Sequence, residues 1–257
     1  MAEFDRWAPF YDLVNEGLPG EAEFYVGNAV RSGGAVLELG AGTGRLAIPM
    51  AMSGVRVIAL DNAVAMLQVL QEQERSLRDM PGRVWPVAGD MRALAFDHCF
   101  AYIAMAYRTF MHLENDAERL ACLTGVARHL APGGRFMANV WRPARGRLAE
   151  IVPAHARWRV AGTYPVGEGD SLIHRFRAKY DSTARRMAEE HHFIVRNNAQ
   201  NIVWEEKVPL TRYWCEPREI CALMNTAGLV VEALFRDFDC NPWREDAEEA
   251  VFVCQKA

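Results

Sequence analysis

The six cysteines among 257 residues form no Cys-x-x-Cys pair and no spacing that would ligate a metal. They read as reduced thiols, some buried as small hydrophobes, and they point to a cytoplasmic protein. No stretch of membrane-spanning length is free of charges and turn residues, which excludes a transmembrane helix. Met1 to Tyr11 is acidic and aromatic, with no basic region followed by an apolar run, so no secretory signal is expected. Excess charge is also missing. A formal net charge of -4 gives no electrostatic case for nucleic acid or a membrane surface as partner. Low-complexity tracts and internal repeats are absent. The paired His191-His192 lacks a third ligand, and on an alternating strand the two face opposite sides, so no metal is expected.

What is present is a chain that is 51% hydrophobic, enough to build a core without staples. Its first half alternates short apolar runs with helical patterns. Ala35–Leu39, Val55–Leu60, Arg83–Ala88, Cys99–Met105 and Arg135–Trp141 read as buried strands. A helix starting at Arg45, a helix Ala63–Leu77 capped by Asn62, and a helix opened by the Asn115–Glu118 box lie between them. The last of these presents Ala117, Leu120, Ala121, Thr124 and Ala127 to one side and stops at Pro132-Gly133-Gly134. This order predicts an α/β fold with a parallel sheet covered by helices on both faces. After an Arg- and Pro-rich connection at 142–153, the periodicity becomes two from about 155 to 212, predicting an inserted antiparallel sheet. Pro217–Ala227 then reads as a helix, with Leu229–Phe235 and Ala250–Cys254 as the closing strands.

The chemistry concentrates where the first strand runs into Gly40-Ala41-Gly42-Thr43-Gly44. Ligands of open α/β sheets bind beyond the carboxyl ends of the strands, where this turn falls. The next strand ends in Asp61, an acid placed to accept hydrogen bonds from the hydroxyls of a ribose. A dinucleotide fingerprint would carry a small residue five positions after Gly40, and this chain has Arg45 there. A nucleotide-dependent oxidoreductase is therefore the weaker alternative.

Glu38-x-Gly40-x-Gly42-x-Gly44 resembles motif I of the class I S-adenosylmethionine (SAM)-dependent methyltransferases. Asp61-Asn62 followed by Met66, Ala88-Gly89-Asp90-Met91 after the third strand, and Leu130-Ala-Pro-Gly-Gly134 extend the resemblance over residues 33–141. The resemblance implies a Rossmann-like sheet of seven strands with the last antiparallel. It also implies SAM as cofactor and S-adenosylhomocysteine as product. Glu38, Gly40, Ala41, Gly42, Gly44, Asp61, Asn62, Met66, Asp90, Met91 and Ala106 would form the cofactor site, with Glu38 and the carbonyls near Gly40 taking the methionyl ammonium.

Trp7-Ala-Pro-Phe-Tyr11-Asp-Leu-Val14 is similar to the lid that precedes motif I in small-molecule enzymes of this family, the amino-sugar N-methyltransferases above all. Tyr11 would face cofactor and acceptor, or else staple the first helix. His112 matches a histidine beside the acceptor amine, as a proton acceptor or contact, or else packs under the next helix. Tyr107 and Arg108 would touch the acceptor or the cofactor's carboxylate, and Arg212 and Tyr213 would close the insertion over the site. The Asn/Asp-Pro-Pro-Tyr motif of base-modifying relatives is absent, so the acceptor is expected to be a small molecule, an amine more than a hydroxyl. The expected division is a helical lid at 1–32, the SAM-binding core at 33–142, the β insertion at 143–212 as a substrate or homodimer region, and core completion at 213–257. Use of SAM for chemistry other than methyl transfer, and a SAM-sensing module without catalysis, remain the other readings.

Overall fold

Val36-Leu-Glu-Leu and Phe100-Ala-Tyr-Ile-Ala-Met are nearly continuous apolar runs, the pattern of strands covered on both faces. The computed structural model, which describes residues 3–77, 79–143, 156–167 and 169–257, places both at the centre of a sheet. Its strands are β1 (Val36–Leu39), β2 (Arg56–Asp61), β3 (Arg83–Ala88), β4 (Phe100–Met105) and β5 (Leu130–Trp141). A separate sheet holds β6 (Arg159–Val166), β7 (Asp170–Asp181), β8 (Arg186–Arg196) and β9 (Ile202–Tyr213). The chain then returns to the first sheet with β10 (Leu229–Phe235) and β11 (Glu249–Lys256).

The seven strands of the main sheet run in the order β10-β11-β5-β4-β1-β2-β3. Pairing of β1 with β2 and β4, of β2 with β3, and of β4 with β5 is parallel. The last strand, β11, is antiparallel to both β5 and β10. The order in which strands are added reverses between β1 and β4, which lie side by side, so the crevice beyond their carboxyl ends is the natural ligand position.

Helices α2 (Glu21–Ser32) and α3 (Ala47–Met52) cover one face, with Tyr25, Ala29, Met50 and Ala51 against Val36, Val57 and Tyr102. Helices α5 (Asp116–His129) and α6 (Pro217–Thr226) cover the other, with Leu123, Val126, Ile220 and Met224 against Leu39, Ile103 and Phe252. Helix α4 (Val64–Ser76) buries Leu70 in the first layer and turns Met66 toward the N-terminal segment.

Two local expectations change. Asn62 does not cap α4. The cap position is Ala63, whose N–H is taken at 2.8 Å by the Asp61 carboxylate two residues back. That i to i+2 bond is a standard competitor to side-chain capping and leaves Asn62 free to face the crevice. Helix α5 starts as expected, with Asn115 Oδ1 accepting from the Glu118 N–H at 3.0 Å, but it buries a different side. Cys122, Leu123 and Val126 face the sheet, whereas Ala121 and Thr124 are exposed. Burial follows the bulkier apolar residues, which remove more surface from water than alanine or threonine does.

The second sheet, in the order β6-β7-β8-β9, is an antiparallel meander. One of its faces packs Leu172, Phe193, Val208 and Leu210 against Trp7, Ala8 and Met66. Trp7 joins two 3-10 turns, Glu3–Arg6 and Ala8–Phe10, which run into the short helix α1 (Tyr11–Val14). The N-terminal segment is thereby clamped between α4 and the second sheet. The expected connection at 142–153 lies outside the described residues from 144 onward. Among the described residues no helix is long and apolar enough to cross a membrane.

One buried polar chain ties the first helical layer to β5 and β11. The Tyr25 hydroxyl donates to Asn139 Oδ1 at 3.0 Å, and Asn139 Nδ2 donates to Glu249 Oε1 at 2.6 Å. Tyr25→Phe strands the buried Asn139 carbonyl, and stability should fall by about 1–3 kcal/mol. Urea unfolding should show a lower midpoint with an unchanged slope.

Candidate active site

A cavity of about 650 Å³ opens beyond the carboxyl ends of β1, β2 and β4, roofed by the N-terminal segment and walled by the second sheet. That volume lies within the range of small-molecule sites. Its floor is the turn after β1. The Gly40 and Ala41 N–H groups donate to the Leu60 carbonyl at 2.8 and 3.1 Å. The Gly42 N–H donates to Asp61 Oδ2 at 2.8 Å, so the end of β2 holds the whole loop. Gly40 has φ 70° and would put a Cβ 2.5 Å from Thr109 Cγ2, so only glycine lets the loop lie against the turn after β4. A Cβ on Gly44 would fall 2.8 Å from Leu70 Cγ, so this glycine also lets the loop pack closely against α4.

The other expected residues all line the cavity: Glu38, Gly40, Ala41, Gly42, Asp61, Asn62, Met66, Asp90, Met91 and Ala106 on the core side, with Tyr11, Tyr107, Arg108, His112, Arg212 and Tyr213 around the rest. Glu38 is buried and its Oε2 has no partner, and burial pushes its carboxyl up to about 8. Burial also raises Asp61, against the backbone N–H groups of Ala63 and Gly42 that favour its ionised form. Asp90 lies at the rim, where hydrogen bonding to Arg92, at 2.7 Å, holds it below the usual carboxylate range. Arg92 also reaches Glu118 at 2.5 Å.

Tyr107 and Arg108 are consecutive left-handed residues, with φ 51° and 67°. Such backbone persists only where its surroundings over-determine it. Here two carboxylates do so. Glu21, fully buried, accepts the Tyr107 N–H at 2.8 Å and pairs with Arg45 at 2.8 Å, and Arg45 lies over the Tyr107 ring. Glu249 takes Arg108 at 2.8 Å. Neither Glu21 nor Arg45 was expected from the sequence, because each acts across the fold.

On the acceptor side, His112 sits in the 3-10 turn Thr109–His112 with Phe4 edge-on at 5.2 Å. Burial first, then the nearby Arg212 cation, lowers it to about 4, so its imidazole is neutral at pH 7. Burial raises the Tyr11 hydroxyl well above its ordinary range, so it stays a protonated donor. Sequence reasoning missed Phe4, Trp7, His174 and His191, which complete this wall. The lid motif contained Trp7 without giving it a role, and the period-two pattern from about 155 to 212 was the only signal for the two histidines. His191 and His192 do point apart: His191 meets His174, whereas His192 contacts Glu205 at 3.0 Å.

Comparison with known proteins agrees with this geometry. Residues 36–134 match a family described as a methyltransferase domain. Over 251 residues the chain is 30% identical to the cypemycin N-terminal methyltransferase of Streptomyces sp, covering 96% of this chain and 94% of that protein. The CcbJ methyltransferase of Streptomyces caelestis superposes with a TM-score of 0.80 at 26% identity, over 99% of this chain and 98% of that one. CalS10 of Micromonospora echinaspora, a SAM-bound amino pentose methyltransferase, superposes at 0.65 with 21% identity, over 92% and 90% of the two chains.

The unpartnered Glu38 oxygen suits an ammonium donor, and the pairing requires an ionised carboxylate. Glu38 is mostly protonated at pH 7, so SAM binding there should release a proton and tighten as pH rises toward about 8. Calorimetry in buffers of different ionisation enthalpy measures that release, and Glu38→Gln should abolish it.

Proposed function

The chain belongs to the SAM-dependent methyltransferases, and from that premise we propose that it methylates an amine nitrogen on a small molecule or at a peptide N-terminus. The observation that carries this reading is the similarity to an N-terminal methyltransferase over 96% of the chain, including the second sheet that walls the acceptor side. The cavity supports it, since a neutral imidazole and a protonated tyrosine face the volume left beyond the cofactor residues.

Glu38 and the Gly40–Gly42 backbone would hold the methionyl end, Asp61 the ribose, and Asn62, Met66, Asp90 and Met91 the adenine. When bound, SAM supplies an electrophilic methyl group on a sulfonium. The chain's own work is to orient and to exclude water. Tyr11 and Trp7 close the cavity, and His112 contacts the incoming nitrogen. Holding the reactants in line removes much of the entropic barrier. Residues 1–32 act as lid, 33–142 and 213–257 as the cofactor-binding core, and 143–212 as the acceptor-binding part.

Incubation with SAM and a panel of amino-acid amides, short peptides with free or acetylated N-termini, arylamines and hydroxyl analogues tests the reading by mass spectrometry. Methylation of the free amines and not of the acetylated or hydroxyl partners is expected, and the reverse selectivity would overturn it. His112→Ala and Tyr11→Phe should each slow transfer by roughly 10²-fold while leaving SAM affinity within a few-fold. Asp61→Ala should abolish SAM binding.

A further inference from the structure

Across the inner face of the second sheet runs a diagonal row of polar side chains from three strands: Arg212 on β9, Glu189 and His191 on β8, and His174 on β7. Arg212 Nη2 pairs with Glu189 Oε2 at 2.6 Å, with Nε of the same arginine at 2.9 Å. Glu189 Oε2 lies 3.8 Å from His191 Nε2, and His191 Nδ1 lies 2.9 Å from His174 Nε2. All but Glu189 line the cavity. Among the described residues, buried His174 Nδ1 at the end of the row has no hydrogen-bond partner, and His191 Nε2 has none closer than the Glu189 carboxylate. Trp7 packs over the pair, its ring 4.4 Å from that of His191 and 6.1 Å from that of His174.

Resting on the amine reading above, we propose that His174 is a catalytic residue that takes the proton an ammonium acceptor must shed before its nitrogen can attack. His191 and Glu189 are positioning residues that set its tautomer and stabilise the charge it receives. With His174 Nε2–H donating to His191 Nδ1, the lone pair of His174 Nδ1 is left for the acceptor. The ammonium N–H bond breaks and its electron pair stays on nitrogen. The proton binds His174 Nδ1, and the Nε2 proton moves to His191 Nδ1. Positive charge ends on His191, beside the Glu189 carboxylate, which stays ionised because Arg212 holds it at about 2. This is the logic of a base oriented by a second group and balanced by a third.

Burial and the neighbouring His191 keep His174 neutral at pH 7, lowered to about 4. The charged and titratable groups around the row are Glu189 on β8, Arg212 on β9, Tyr180 on β7 and His112 on the 3-10 turn. Burial and the Arg212 cation oppose a positive charge on His112 too, against Glu189 and the backbone at Thr211.

The test measures kcat/KM at saturating SAM from pH 6 to pH 10 for the wild type, His174→Gln and Glu189→Gln. Two acceptors are used, an amino-acid amide and an arylamine that is already neutral at pH 7. The amide's amine titrates at about 8. On the amide, His174→Gln should lose about 10- to 10²-fold at pH 7 and fall about tenfold per pH unit below 8. At pH 10, and with the arylamine, it should come within about tenfold of the wild type. Glu189→Gln should show the same pattern at smaller amplitude, and calorimetric SAM affinity confirms that both variants fold. A loss equal at all pH values and for both acceptors, or no loss, overturns the proposal while leaving amine methylation intact. Failure of the wild type to methylate either amine overturns the amine reading and this proposal with it.

Discussion

One carboxylate holds the site together. Asp61, at the end of β2, accepts N–H bonds from Gly42 in the turn after β1 and from Ala63 at the start of α4. Those bonds fix the separation of two loops that rise from neighbouring strands, so the cavity floor exists before any ligand arrives. The arrangement also has a cost. Burial disfavours the ionised form of Asp61, and only its bonds to backbone N–H groups offset that. An acid in this state has lone pairs left for hydroxyl donors, and adding them relieves part of its desolvation. The interaction that builds the floor therefore also leaves acceptor capacity facing the cavity.

The same economy recurs around the cavity. Glu21 fixes Tyr107 and Arg45, and Glu249 fixes Arg108. Glu21 is buried and Glu249 half-buried, and the charge of each is met by an arginine. The result is a rigid rim made from residues in an unfavourable left-handed backbone, with two anchored side chains aimed inward. Glu38 differs, because its Oε2 has no partner and its carboxyl is the one pushed up to about 8. Within this set of acids, the unpaired member is the one best suited to a cationic ligand.

What was legible in the sequence divides along physical lines. The succession of strands along the chain, the glycine turn and the place of Asp61 at the end of a strand were readable, because each depends on a few consecutive residues and a fixed periodicity, while the seven-stranded arrangement came from the family resemblance. The packing of Gly44 was not legible, since that constraint comes from Leu70 on another helix. Asn62 lost its cap to Asp61, a competition between neighbours that composition does not decide. The buried side of α5 was misplaced because small residues at helical spacing imitate a core face. The row from Arg212 to His174 was invisible for a stronger reason. Its members lie 38 positions apart at the extremes, and only strand register brings them into line.

That register explains why the wall of the acceptor side resides in the second sheet. In an antiparallel meander, alternate residues of adjacent strands share a face, so a diagonal of polar groups needs only one or two polar positions per strand within an apolar surface. Leu172, Phe193, Val208 and Leu210 supply that surface and seat Trp7. In the main sheet the central strands are buried on both faces by helices, so a polar side chain there needs an internal partner, as Asn139 has, or an opening onto the cavity, as Glu38 has on β1. The second sheet is free of that restriction: one face carries the polar row, while the bonds that Asp61 makes lie wholly within the first sheet and its loops.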